Sequence, residues 1–275
     1  MNTLLLSEIQ SQEKDLLETL VLLEDYIFKA NLPEQYVSSF DRSLDTLETI
    51  IEQCQAVIAE IESPLDKSEV LMNELFFQHL FIDSHKKHWP ISSFKVAASL
   101  NQRLMSPIVK AVLLCEIINA CDFNADIVFV PNKVMVRLCC DDQYAIIFDP
   151  VTGESLDWHE LDLRLEELDG DPSQHEFPSM NREAILAEHL SALKNVLIRD
   201  KAFEQALLCV DLILSLNPDD PLQRRDRGFL LHQLDCFKVA VDDYRYFVEK
   251  CPKDPAAQLL KAQLDNITLS ETTFH

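Results

Sequence analysis

The chain has 275 residues, enough for one large or two modest domains, and its 47 acidic against 24 basic side chains give a formal charge of −23. Affinity for a phosphate backbone rests on cationic contacts that release counterions, so this balance argues against nucleic acid as a partner. Three glycines in all, Gly153, Gly170 and Gly228, are too few for the loops that cradle nucleotides, and no G-x-S-x-G elbow occurs.

From the amino terminus, Leu4, Leu5, Ile9, Leu16, Leu17, Leu20, Leu23 and Ile27 recur at helical intervals. After Asn31-Leu32-Pro33 a second run carries Leu44, Leu47, Ile50, Ile51, Cys54, Val57 and Ile61. The spacing predicts two amphipathic helices closed off by Pro64, then a third over residues 68–81. DSHKKHWPISSF, with Pro90 and its polar groups, reads as loop. His85 and His88 lie in it at i, i+3 spacing, but beside two lysines in a loop they read as exposed histidines, and neither a metal nor a cofactor is expected. No apolar run reaches the length of a membrane span and the acidic amino terminus is unlike a signal peptide, which points to the cytoplasm.

The pattern changes at Ser106. Pro107 suits the first position of a helix with Ser106 as its cap, and IVKAVLLCEIINAC continues as an almost wholly apolar, buried helix. ADIVFV, KVMVRLCC and YAIIFD read as strands, the last two joined by a turn at Asp141, Asp142 and Gln143. A helix followed by a small antiparallel sheet is an α+β core. Asp157 and Glu160 form a D-x-x-E cap for a short helix in residues 151–180, a stretch that holds nine acids and one base, Arg164. Those acids lack the ligand spacing of a calcium loop and read as a solvated face. There are eight cysteines and no C-x-x-C pair. Cys54, Cys115, Cys121, Cys209 and Cys236 fall in apolar helical patterns as buried thiols, while adjacent Cys139 and Cys140 point to opposite faces of a strand.

Beyond a Pro-containing linker at 172–180 the chain is helical and repeats itself. Phe203 and Phe237, Ala206 and Ala240, Pro218 and Pro252, and Pro221 and Pro255 are each 34 residues apart. That is the tetratricopeptide period, with the small alanine letting two helices approach and the proline ending the second. Gly228 supplies the small residue at position 8 of the second copy, where the first has Lys194. The expected domains are therefore 1–178, with a core at about 68–170, and 182–267, comprising repeats 187–220 and 221–254 and a capping helix at 256–267. In such arrays the first helix of each repeat lines a groove that binds a protein or peptide. Ser191, Asn195, Arg225, Phe229 and His232 hold groove positions and are the candidate partner-binding residues. The cluster Arg224, Arg225 and Arg227 has two readings: contact with a carboxylate of the partner, or pairing with the chain's own acids, the 151–180 stretch among them.

RLMSPIVKAVLL, then FVPNKVMVRL, then FDPVTGESL, followed by the repeats, resembles the SirB-type transglutaminase-like family of bacteria. That family carries patterns near R-x-G-x-P-I-S-L, F-P-G-H-F-L-L-R and I-D-P-F-x-G-G. The resemblance implies a papain-related fold in which a cysteine at a helix start is activated by a strand histidine that an aspartate orients. Carried over, the three positions fall on Pro107, Lys133 and Asp149, with Asn132 in place of the preceding glycine. Proline is no nucleophile, and a lysine cation takes no proton from a thiol unless burial lowers its pKa strongly. The expected function is thus non-catalytic, as a protein-interaction adaptor or regulator, with a Lys133–Asp149 ion pair replacing the catalytic pair. The alternative is a cysteine- or serine-type acyl transferase or peptidase using substituted residues, Ser106 or Cys115. Against it, a serine before a helical proline is ordinarily a cap, and Cys115 lies over two turns into the helix.

Overall fold

The apolar spacing of the amino-terminal region becomes two helices, α1 (Leu16–Phe28) and α2 (Tyr36–Ile58), in the computed structural model of the chain. It describes residues 9, 15–28, 36–79, 81, 83–130, 133–156 and 177–272, without the side chains of 36–42 and 265–272, so the capped helix expected at Asp157 and the Asn132 position lie outside the described residues. Leu17, Leu20, Leu23 and Ile27 of α1 and Leu47, Ile50, Cys54 and Ile58 of α2 are buried, the stripe that helical periodicity requires. Pro64 opens α3 (Pro64–Asn73) where the sequence suggested a stop. A proline has no N–H to leave unpaired at the first helical position, and Ser63 Oγ accepts from the Asp66 amide at 3.3 Å. A π-helical turn, Glu74–Gln78, extends α3.

The segment read as loop is loop only as far as Pro90. Ile91–Phe94 forms a 3-10 turn and α4 (Val96–Gln102) follows, a helix too short to show a period. Its first amide, Val96 N–H, donates to Glu24 Oε2 at 3.0 Å, so the cap comes from α1 and not from a neighbour in sequence.

Helix α5 (Pro107–Ala120) is buried nearly throughout and packs on the first two of three strands: β1 (Asn124–Val130), β2 (Lys133–Cys139) and β3 (Ala145–Phe148). The sheet is antiparallel in the order β1-β2-β3, with Val136 paired to Ile127 on one side and Phe148 on the other. Val128, Val130, Met135 and Ile147 cluster with Phe177. The β2–β3 turn is tied by Asp141 Oδ1, which accepts from the Gln143 and Tyr144 amides at 2.7 and 2.8 Å. Residues 177–180, part of the expected linker, run along β1: Val128 bridges Ser179 and Met180 N–H donates to Ile127 O at 2.7 Å. All eight cysteines are free thiols, and Cys236 is exposed, not buried, because it stands at the cap before a helix and not within one.

The chain forms two compact units, Met1–His189 and Leu190–His275, dividing inside α6 (Arg182–Arg199). In the second, α7 (Phe203–Leu216), α8 (Pro221–Gln233), α9 (Phe237–Lys250) and α10 (Pro255–Thr272) complete two helical hairpins and a following helix. Gly228 is required by close approach, since a Cβ there would lie 2.8 Å from the Tyr244 ring and 3.2 Å from Ala240 O. In the first copy the equivalent Lys194 is 3% exposed, and its Nζ reaches Asp226 Oδ2 at 2.6 Å and Gln223 Oε1 at 3.1 Å on α8. The two copies satisfy one position by different means.

Candidate functional site

Asp149 directly follows β3, in the FDPVTG turn. Its amide donates to Glu154 O at 2.9 Å, its carbonyl accepts from Gly153 N–H at 2.8 Å, and its Oδ1 accepts from Val151 N–H at 2.8 Å. Gly153 adopts φ +76° with the Phe76 ring 2.8 Å from where a Cβ would sit, so only glycine fits the turn without strain. The remaining carboxylate oxygen, Oδ2, takes two side chains: the Lys133 ammonium, in an ion pair, and His85 Nε2 at 2.6 Å. Burial pushes the Asp149 carboxyl up, but Lys133, His85 and the Val151 amide outweigh it and hold the group below its ordinary range.

The ion pair expected across the β2–β3 hairpin is therefore present, and it has a third member. His85, read as an exposed loop histidine, keeps its ring half-exposed but turns Nε2 onto Asp149, while His88 is exposed as expected. The loop is held there by Asp83 N–H, which donates to Val151 O at 2.9 Å. No local pattern could have found a contact between residues 64 apart.

Beneath this cluster lies a second cation absent from the sequence reading. Lys110 on α5 is fully buried and donates to Phe81 O at 2.7 Å. Burial lowers its ammonium to about 8, with Asp83 and Asp149 pulling it back up.

At the head of α5, Pro107 takes the first helical position. Ser106 stands at the cap with extended backbone angles, its carbonyl accepting from Lys110 N–H at 2.9 Å. Its hydroxyl does not cap the helix as expected: Oγ is buried and has no hydrogen-bond partner among the described residues. Backbone geometry and the missing proline N–H make the start without it. Burial, with Asp126 and Glu116 adding to it, pushes the Cys115 thiol up to about 12, so it stays protonated at neutral pH. Among the described residues no group of three or more His, Cys, Asp or Glu is placed to hold a metal ion.

In the repeats, Ser191 and Asn195 lie on α6, and Arg225, Phe229 and His232 on α8. Asn195 and His232 are exposed. Phe229 is 39% exposed and meets Phe203 edge to face at 6.3 Å, while His232 meets Phe237 in the same way at 5.0 Å. The arginines pair within the repeats themselves. Arg227 holds the buried Asp243 with two contacts of 2.7 Å, Arg224 adds a third at 3.3 Å, and Arg227 also reaches Asp211 at 3.6 Å. Arg225 contacts Asp226 at 2.8 Å with its guanidinium 5.5 Å from the centre of the Phe247 ring. These acids are the partners that the described residues give the cluster; residues 157–176, in the 151–180 stretch, lie outside them.

A buried helix laid on an antiparallel hairpin, with Asp149 at the strand end, followed in sequence by helical hairpins of 34-residue period, defines the class. Residues 41–191 match the transglutaminase-like superfamily and residues 193–265 the tetratricopeptide repeat. The first match covers more than half of the chain, which therefore belongs to the transglutaminase-like superfamily. Among its relatives, Protein SirB1 of Salmonella typhimurium is 26% identical over 273 residues, covering 98% of this chain and 99% of the relative. The UPF0162 protein YchA of Escherichia coli K12 is 28% identical over 275 residues, with the same coverage. A UPF0162 protein of Vibrio cholerae is 34% identical over 181 residues, 64% of this chain and 67% of the relative. No solved structure matches the chain. No helix among the described residues is long and apolar enough to cross a membrane.

Proposed function

We propose that the protein is a non-catalytic member of its superfamily, acting in the cytoplasm as an adaptor or regulator that binds a protein or peptide through its tetratricopeptide repeats. The observation that carries the first half is the Asp149 carboxylate. At the position where the family's aspartate orients a histidine, it is neutralised by the Lys133 ammonium, and Pro107 offers no attacking group. The second half rests on the repeats, whose α6 and α8 present Ser191, Asn195, Phe229 and His232, with Arg225 braced by Asp226 and Phe247. The test is affinity purification with the intact protein and an Asn195→Ala, Phe229→Ala, His232→Ala variant of unchanged melting temperature. The reading expects one specific bound protein to be lost with the variant; an identical set of bound proteins overturns it.

One observation favours a second reading, acyl transfer or peptide hydrolysis. Asp149 keeps an imidazole partner in His85, and Ser106 has an unengaged hydroxyl at the start of α5. Serine- and thiol-reactive probes separate the two. The adaptor reading expects no stoichiometric labelling at Ser106 or Cys115, whereas labelling abolished by Ser106→Ala or Cys115→Ala establishes the enzyme.

A further inference from the structure

A surface on the first unit, remote in sequence from the repeats, has the character of a docking groove. Helices α1 and α2 enclose a cavity of about 500 Å³, within the size range of ligand pockets. Its walls are aliphatic: Leu17, Val21 and Leu22 from α1 face Leu44, Leu47 and Ile51 from α2. Four carboxylates line it as well: Asp15 and Glu18 at the start of α1, Glu48 on α2 and Glu116 on α5. None of these four carboxylates is seen in an ion pair among the described residues; the Asp15 carboxylate accepts from the Glu18 amide, while its carbonyl accepts from Thr19 and from Arg182 at 3.4 Å. Burial and the neighbouring Asp15 push the Glu116 carboxyl up, the condition of an acid that lacks a counter-charge.

The geometry points to a basic amphipathic helix of a partner protein as the occupant of the α1–α2 groove. Such a helix presents apolar side chains at i, i+3, i+4 and i+7, and about three or four of them fill a cavity of this size. Its flanking lysines and arginines then meet the four acids. The charge disfavours the other occupants. A second copy of a chain carrying −23 is repelled, as is an anionic lipid surface, and an apolar partner without cations leaves those carboxylates desolvated and unpaired.

The test uses the full chain and a fluorescein-labelled synthetic helix of about 18 residues built from leucine and lysine in amphipathic order, followed by anisotropy. Two control peptides replace lysine by glutamate, or leucine by serine at unchanged charge. The groove variant is Asp15→Asn, Glu18→Gln, Glu48→Gln, Glu116→Gln. A matched variant, Glu60→Gln, Glu62→Gln, Glu69→Gln, Asp142→Asn, removes the same charge from exposed positions elsewhere. A third, Val21→Arg, fills the groove, and circular dichroism checks that each folds. Saturable one-to-one binding of the leucine–lysine peptide is expected, weakened roughly tenfold or more by the groove variant and by Val21→Arg, and by less than about twofold in the matched variant. The inference is overturned by the absence of saturable binding. It is equally overturned if the serine–lysine or the leucine–glutamate peptide binds as tightly, if the groove and matched variants weaken binding alike, or if Val21→Arg leaves it unchanged.

Discussion

Asp149 and Asp243 stand in different units of the molecule, and each is a buried carboxylate held by two nitrogen-bearing side chains. Asp243 is gripped by Arg224 and Arg227, both from the neighbouring α8, through guanidinium groups that stay charged at any ordinary pH. Asp149 is gripped by a strand lysine and a loop histidine, and also by a backbone amide. The first arrangement is a permanent clamp between successive helices. The second draws together a strand end, a turn and a loop distant in sequence.

Replacing the carboxylates should separate the two roles. Asp243→Ala leaves two guanidiniums without their shared partner in a part-buried site, and a loss of about 3 kcal/mol in denaturant unfolding of the repeats is expected. Next in size, Gly228→Ala forces the Tyr244 ring aside and should cost about 1–3 kcal/mol, with partial recovery when Tyr244→Leu makes room. If Gly228→Ala is neutral, the helices are not held as close as described.

The acid limb distinguishes Asp149 more finely. Its folded carboxyl lies below its ordinary value of 3.8, so the stabilisation it supplies is full above that value and is lost as pH falls through the lower, folded one. Thermal melts below about pH 4 should therefore fall less steeply in Asp149→Asn than in the native chain. Glu24 has the opposite sign. Burial raises it to about 7 from 4.5, despite the Val96 amide and Lys95, so its ionisation costs stability as pH rises through that range. Glu24→Gln should stabilise the protein by about 1–3 kcal/mol at pH 8 and by much less at pH 5. The smallest effect is expected for Lys133→Met. The pair it breaks is one-third exposed on the lysine side and His85 remains on Asp149, so about 1 kcal/mol is at stake.

What could be read from residues alone follows the same division between local and distant partners. The repeats were legible because Gly228, Ala240 and the prolines act within a hairpin of two helices, and the 34-residue period records that packing directly. The Lys133–Asp149 pair was legible because hairpin strands fix their own register. His85 on Asp149, Lys110 on the Phe81 carbonyl and Glu24 on the Val96 amide were not, since their partners lie 64, 29 and 72 residues away and meet only once the helices have packed. Helix α4 was missed for a related reason: seven residues are too few to show a period, and its cap comes from α1.

Lys194 gives the two repeats a fixed order. Its ammonium donates to Gln223 and is neutralised by Asp226, residues that occupy the third and sixth places of the copy that follows. Were the stretch 187–220 duplicated in tandem, those places would be filled by the equivalents of His189 and Ala192, and the first lysine would be sealed in with no anion beside it. Growth of the array by copying this unit is thus penalised unless an acid arises downstream, which makes the pair a directional joint and not a module to be multiplied.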